Sequence, residues 1–186
     1  SVLNDGWTVT IPDHQGPLSA FSSSFIHGHA SLDAIRATLN FEKLKLDPKS
    51  AVVGMGYSGG AIAGGWAASL LGSYATELNV VGWSIGGTPS NVTGTFYGLD
   101  GSLFSGFSVA GVAGIVDSYP EVNDYVGSVI TPAGNAALQF TREHCMGDIV
   151  VGLQNVNLTA KDFVKNEKNF LTDKRIAPIL DHLTMG

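Results

Sequence analysis

Charged side chains are scarce here, making up 14% of 186 residues where about a quarter is usual. The deficit is concentrated, because between Ser50 and Val116 only Glu77 and Asp100 ionise. A third of the chain so nearly free of charge belongs in a core or a buried site. Basic residues number 10 against 16 acidic ones, a net charge of −6, and nowhere cluster. That excludes the phosphate-tracking stripe of a nucleic-acid binder. Cysteine occurs once, at Cys145. Long hydrophobic runs are also missing: Ala51 to Thr76 has the length of a membrane span, but it carries seven glycines and opens like a strand, which does not hold together in lipid. No charged segment followed by an apolar one opens the chain, so no signal peptide is visible. What the chain has instead is 44% hydrophobic residues and 24 glycines, enough for a sizeable core and too apolar for disorder. The length fits one domain or slightly more.

The pattern of residues predicts an α/β protein. Asp5-Gly6 reads as a turn, followed by a short strand with alternating Trp7, Val9 and Ile11. Ser23-Ser24 caps an amphipathic helix with Phe25, Leu32, Ile35 and Leu39 on its apolar face. After a polar linker, Ala51 to Met55 reads as a buried strand, Ala61 to Leu71 as a small-residue helix, and Leu78 to Gly82 as another strand. Strands and helices in alternation imply a parallel sheet. Beyond Ser90 the texture becomes mainly helical, in segments such as Phe104 to Val116 and Ser128 to Arg142, with Ile149-Val150-Val151 as the one candidate strand. The expected division is residues 1–90 and 91–186.

Chemistry concentrates at Gly56-Tyr57-Ser58-Gly59-Gly60. In a Gly-x-Ser-x-Gly elbow a strained strand-to-helix turn lifts the serine hydroxyl above the sheet, and the next residue aims its N–H at a developing oxyanion. The strand and the helix stand on the correct sides, so Ser58 is the candidate nucleophile and Gly59 the candidate oxyanion donor. A second match, Gly82-Trp83-Ser84-Ile85-Gly86, is followed by Gly87-Thr88-Pro89, which cannot open a helix at once. Ser84 is therefore expected to be a decoy.

Taken together, Gly56 to Ala61 with Trp66-Ala67, Ser73-Tyr74-Ala75, Glu77 to Gly82 and Gly86-Gly87-Thr88-Pro89 resemble the fungal secretory lipases of the lipase A type. Upstream, Asp13-His14-Gln15-Gly16 and Ile35-Arg36-Ala37 fit too. The resemblance is strongest from Asp13 to Pro89. It implies an α/β-hydrolase core with a mostly parallel sheet and an inserted, mainly helical cap or lid, both incomplete in this chain. It further implies hydrolysis of fatty-acid esters, with Ser58 as nucleophile and Gly59 in the oxyanion hole. The triad Asp and His would lie beyond Gly186 and the other oxyanion donor upstream, supplied by missing segments or a second chain. No cofactor or metal is implied.

The residues leave other arrangements open. A self-contained triad of the small cutinase type would pair His144 with Asp100, Asp117 or Asp124, or His182 with Asp148, Asp162 or Asp173, although His182 sits at what reads as a helix end rather than a loop. His27-Gly28-His29 puts two imidazoles on diverging helix faces with no ligand companion. Asp13-His14 reads as a loop fixed by an Asx-type hydrogen bond, with a substrate-side role as the alternative. The stripe Phe104, Phe107, Val109, Val112 and Ile115 reads as core, with an acyl-chain pocket as the alternative.

Asn91-Val92-Thr93 and Asn157-Leu158-Thr159 fit the N-glycosylation acceptor pattern, in keeping with secretion, and a single Cys145 in a secreted protein points to a disulfide with another segment or chain. The sequence thus reads as a secreted serine esterase or lipase acting on a lipid or ester substrate. An inactive fragment or binding piece, and a peptidase on the same fold, are the rivals.

Overall fold

A computed structural model describes residues 2–165 and 169–185. The chain forms two compact units, one of residues 2–16 with Ser24–Thr88, the other of Pro17–Ser23 with 89–185.

The first unit holds helix α1 (Ser24–Leu39), strand β1 (Val52–Tyr57), helix α2 (Gly59–Tyr74) and strand β2 (Val80–Gly86). The strands pair in parallel, with Met55 opposite Ser84 and Tyr57 opposite Gly86, as expected of two strands joined through a helix. Helix α2 carries Gly59, Gly60, Gly64, Gly65 and Gly72, each costing a helix about 1 kcal/mol relative to Ala. Packing offsets that cost. A Cβ on Gly64 would stand 2.8 Å from Ile85 Cγ2, and one on Gly28 of α1 would stand 2.8 Å from the Trp66 carbonyl carbon. The glycines let α2 lie close to β2 on one side and to α1 on the other. Leu32, Ile35, Leu39, Ala67 and Ala75 form the core there, and the expected apolar face of α1 is the buried one, apart from the half-buried Phe25.

Residues 7–12 form no strand among the described residues, contrary to expectation. The turn is present, with Gly6 at φ 82° and Trp7 N–H donating to Val2 O at 3.1 Å. However, Trp7 and Val9 are exposed and Ile11 is 90% exposed. An alternating pattern gives a strand only where a neighbouring strand accepts its ladder bonds, and the described chain offers none.

The second unit is helical: α3 (Val92–Leu99), α4 (Ser105–Ser118), α5 (Pro120–Val129), α6 (Pro132–Glu143), α7 (Met146–Gly152) and α8 (Ala177–His182). Helix α4 runs through its centre, with every residue from Ser105 to Val116 except Phe107 buried. A helix apolar all round is a core helix. Val109, Val112 and Ile115 belong to that core, whereas Phe104 is exposed. Two details differ from the sequence reading. The segment read as one helix from Ser128 breaks at Ile130–Thr131, because Thr131 caps α6, its Oγ1 accepting from Gly134 N–H at 3.0 Å, and Pro132 takes the first helical position that suits proline. Ile149-Val150-Val151 lies in α7, not in a strand. With no strand partner, its apolar residues are used at helical spacing, where Ile149 is buried against α4 and a Cβ on Gly106 would meet Ile149 O at 2.5 Å.

Candidate active site

Ser58 is the residue between the last residue of β1 and the first of α2, with φ 53° and ψ −116°. A non-glycine residue with positive φ is strained by about 1–3 kcal/mol, and the surroundings hold it there. Ser58 N–H donates to Gly86 O on β2 at 3.0 Å, while Ser58 O accepts from Ala61 N–H at 2.9 Å and Ile62 N–H at 3.1 Å. The chain therefore turns from strand to helix around one serine, which is exposed. Gly56 is required by contact rather than by conformation: a Cβ on it would stand 2.2 Å from Gly60 O and 2.9 Å from Ala61 N. By contrast, nothing lies within 4 Å of a Cβ on Gly60, so the last glycine of the motif is not demanded by its neighbours.

The site is electrically simple. The first N–H groups of an α-helix have no acceptor within it, and here the Ala61 and Ile62 amides are taken by Ser58 O, whereas those of Gly59 and Gly60 meet no acceptor among the described residues. The first turn of α2 contains no acidic residue, so the helix itself places no carboxylate against the positive end of its macrodipole. The serine therefore stands at the N-terminal, positive end of α2, where backbone amides and the helix dipole favour negative charge.

Ser84, the second motif serine, lies inside β2 opposite Met55 and adopts no elbow. The histidines have other surroundings. His144 Nδ1 lies 3.0 Å from Phe140 O, and the ring stacks on Phe140 at 3.8 Å. Asp117 holds Arg142 through two bonds of 2.6 and 3.0 Å, and Asp100 accepts from Leu158 N–H and Thr159 Oγ1. His182 is the last residue of α8. Asp13 Oδ1 accepts from Gly16 N–H at 3.3 Å, the expected loop bond. One pairing has no signal in the sequence: the His14 ring lies 4.7 Å from the fully buried His27, and burial lowers the His14 pKa against the opposing pull of Asp13. Cys145 is exposed at the start of α7.

The secretory lipase family model matches residues 1–185. The chain belongs to the secretory lipase family. It is 99% identical over all 186 residues to a secreted triacylglycerol lipase of Malassezia globosa, covering 39% of that protein, and 45% identical to one from Malassezia furfur, covering 99% of this chain and 38% of that protein. Among solved structures it is similar to Candida antarctica lipase A in its closed state, with a TM-score of 0.85 and 38% identity over 92% of this chain and 39% of that one. The fold is that of an α/β-hydrolase, and the chain spans about two fifths of the length of these relatives. The small parallel sheet and the helical unit are portions of that architecture.

Proposed function

We propose that this chain is the nucleophile-bearing part of a secreted serine hydrolase that cleaves fatty-acid esters such as triacylglycerols. The strained Ser58 elbow is the observation that carries the reading, and the family relatives, named as secreted triacylglycerol lipases, supply the substrate class. Ser58 Oγ attacks the ester carbonyl and passes its proton to a histidine. Gly59 N–H helps hold the oxyanion, the alcohol departs, and water resolves the acyl-enzyme. The triad Asp and His come from segments of the same enzyme outside this chain.

In this reading residues 1–90 contribute to the hydrolase core and residues 91–186 to the cap. Exposed Met55 and Tyr57 on β1 and the unpaired 7–12 segment are surfaces for the remaining segments to cover, and in this reading the exposed Cys145 pairs with a cysteine of one of them. The test is a substrate panel on the full-length secreted enzyme and its Ser58→Ala variant. Release of fatty acid from emulsified triacylglycerol, lost in the variant, is the expected result. Cleavage of peptides without esters would instead make it a peptidase. No turnover of either would make it a binding protein.

A further inference from the structure

We propose that Asn91 and Asn157 both carry N-linked glycans that bracket helix α3 and mark this edge of the helical unit as facing water. The two acceptor patterns are 66 residues apart in sequence, yet the fold brings them to the two ends of one short helix. Asn91 is the N-cap of α3, and Asp100 is its C-cap. Asp100 in turn holds the second acceptor loop: its Oδ2 accepts from Thr159 Oγ1 at 2.8 Å, and Gly101 N–H donates to Val156 O at 2.9 Å. Eight helical residues separate the two ends, about 12 Å at 1.5 Å per residue.

Both carboxamides are oriented so that modification leaves the fold intact. Asn91 Oδ1 accepts from Gly94 N–H at 2.6 Å. Asn157 Oδ1 accepts from Thr159 N–H at 3.0 Å and Thr159 Oγ1 at 2.9 Å. In each case the oxygen serves the protein while the nitrogen, the atom that takes the sugar, has no protein acceptor among the described residues. Both asparagines are exposed. Oligosaccharide transfer from a lipid-linked pyrophosphate donor breaks the sugar C1–O bond and forms a C1–Nδ2 bond. The amide proton leaves with the pyrophosphate, and the oxygen keeps its hydrogen bonds. The helix cap and the Asx-type turn therefore survive glycosylation, and two bulky hydrophilic chains then exclude both the rest of the enzyme and an oil surface from this edge.

The proposal rests on the reading of the chain as part of a secreted hydrolase. Its test is to treat the native full-length enzyme, secreted from a glycosylating yeast, with peptide N-glycosidase in heavy-oxygen water and then to map its peptides. The expected result is conversion of both Asn91 and Asn157 to labelled aspartate without prior denaturation, with hydrolysis of a soluble short-chain ester changed less than about twofold. Either asparagine unmodified in enzyme that is secreted and active overturns the proposal and leaves the hydrolase reading standing. Glycans that yield to the glycosidase only after denaturation also overturn it, because they would be covered rather than facing water. Labelled glycan sites on an enzyme that hydrolyses no ester support the proposal and overturn the hydrolase reading.

Discussion

Replacing Gly56 by alanine adds one methyl group below the elbow, and the structure sets the scale of the disturbance. The new Cβ would stand 2.2 Å from Gly60 O and 2.4 Å from Gly60 C. Side-chain Cβ atoms essentially never approach closer than 3.0 Å, so α2 and β1 must separate by about 0.8 Å at the point where Ser58 joins them. The atoms that have to move are backbone, tied to Ser58 O through the Ala61 and Ile62 amides, and no rotamer change relieves the clash. Overpacking of this kind costs about 1–3 kcal/mol of stability. Displacing a nucleophile by nearly 1 Å costs about 100-fold in rate. For the full-length enzyme, kcat on a soluble ester should therefore fall about 100-fold in Gly56→Ala, with folded protein still recovered at low temperature. Gly60→Ala is the companion variant. Its Cβ meets nothing within 4 Å, and replacing a helical glycine should raise stability by about 0.5–1 kcal/mol. Urea denaturation of both variants, beside ester kinetics of Gly56→Ala, checks the pair. A Gly56→Ala enzyme within about threefold of the parent in kcat would refute the reasoning.

Gly28→Ala places a Cβ 2.8–2.9 Å from Trp66 and Leu70 on α2 and should cost about 1–3 kcal/mol, seen as a lower urea midpoint with kcat retained in the folded fraction. Thr131→Ala removes the cap of α6 and should lower stability by about 0.5–2 kcal/mol, measured by the same denaturation. Arg175 holds the Asp173 carboxyl down to about 2 from its usual 3.8 through a hydrogen-bonded ion pair. A depressed carboxyl pKa stabilises the fold above its unfolded value, and that contribution disappears as pH falls from about 4 to about 2. Asp173→Asn should therefore show a shallower fall of Tm across that window, as calorimetry at stepped pH would reveal.

Much of the first unit was legible because local signals agreed with what packing later required. β1, α2 and β2 follow from apolar runs separated by a glycine-rich turn, and the elbow could be assigned to Ser58 rather than Ser84 because only the former precedes a helix-forming segment. The ends were less legible. β2 begins at Val80 and runs through Ser84 to Gly86, since pairing with β1 extends the strand past the last strongly apolar residue. The strand expected at Trp7–Ile11 failed for a non-local reason, as alternation reports a tendency to be half-buried but not a partner. The opposite error occurred at Ile149–Val151, where β-branched residues suggested a strand and the glycine surface of α4 made a helix the better burial. The break at Thr131-Pro132 falls inside the segment expected to be helical from Ser128 to Arg142, because helical spacing continues on both sides of the capping threonine. No local pattern carries the ring contact of His14 and His27, because it depends on the loop at Asp13 folding back over α1.

The central claim is that the Ser58 hydroxyl is the nucleophile, and the most direct measurement is covalent labelling of the full-length enzyme with a fluorophosphonate, followed by peptide mapping of the adduct and reaction of the Ser58→Ala and Ser84→Ala variants. The account predicts a single adduct on Ser58, absent in Ser58→Ala and retained in Ser84→Ala. An adduct on Ser84, or full ester hydrolysis by Ser58→Ala, would contradict it.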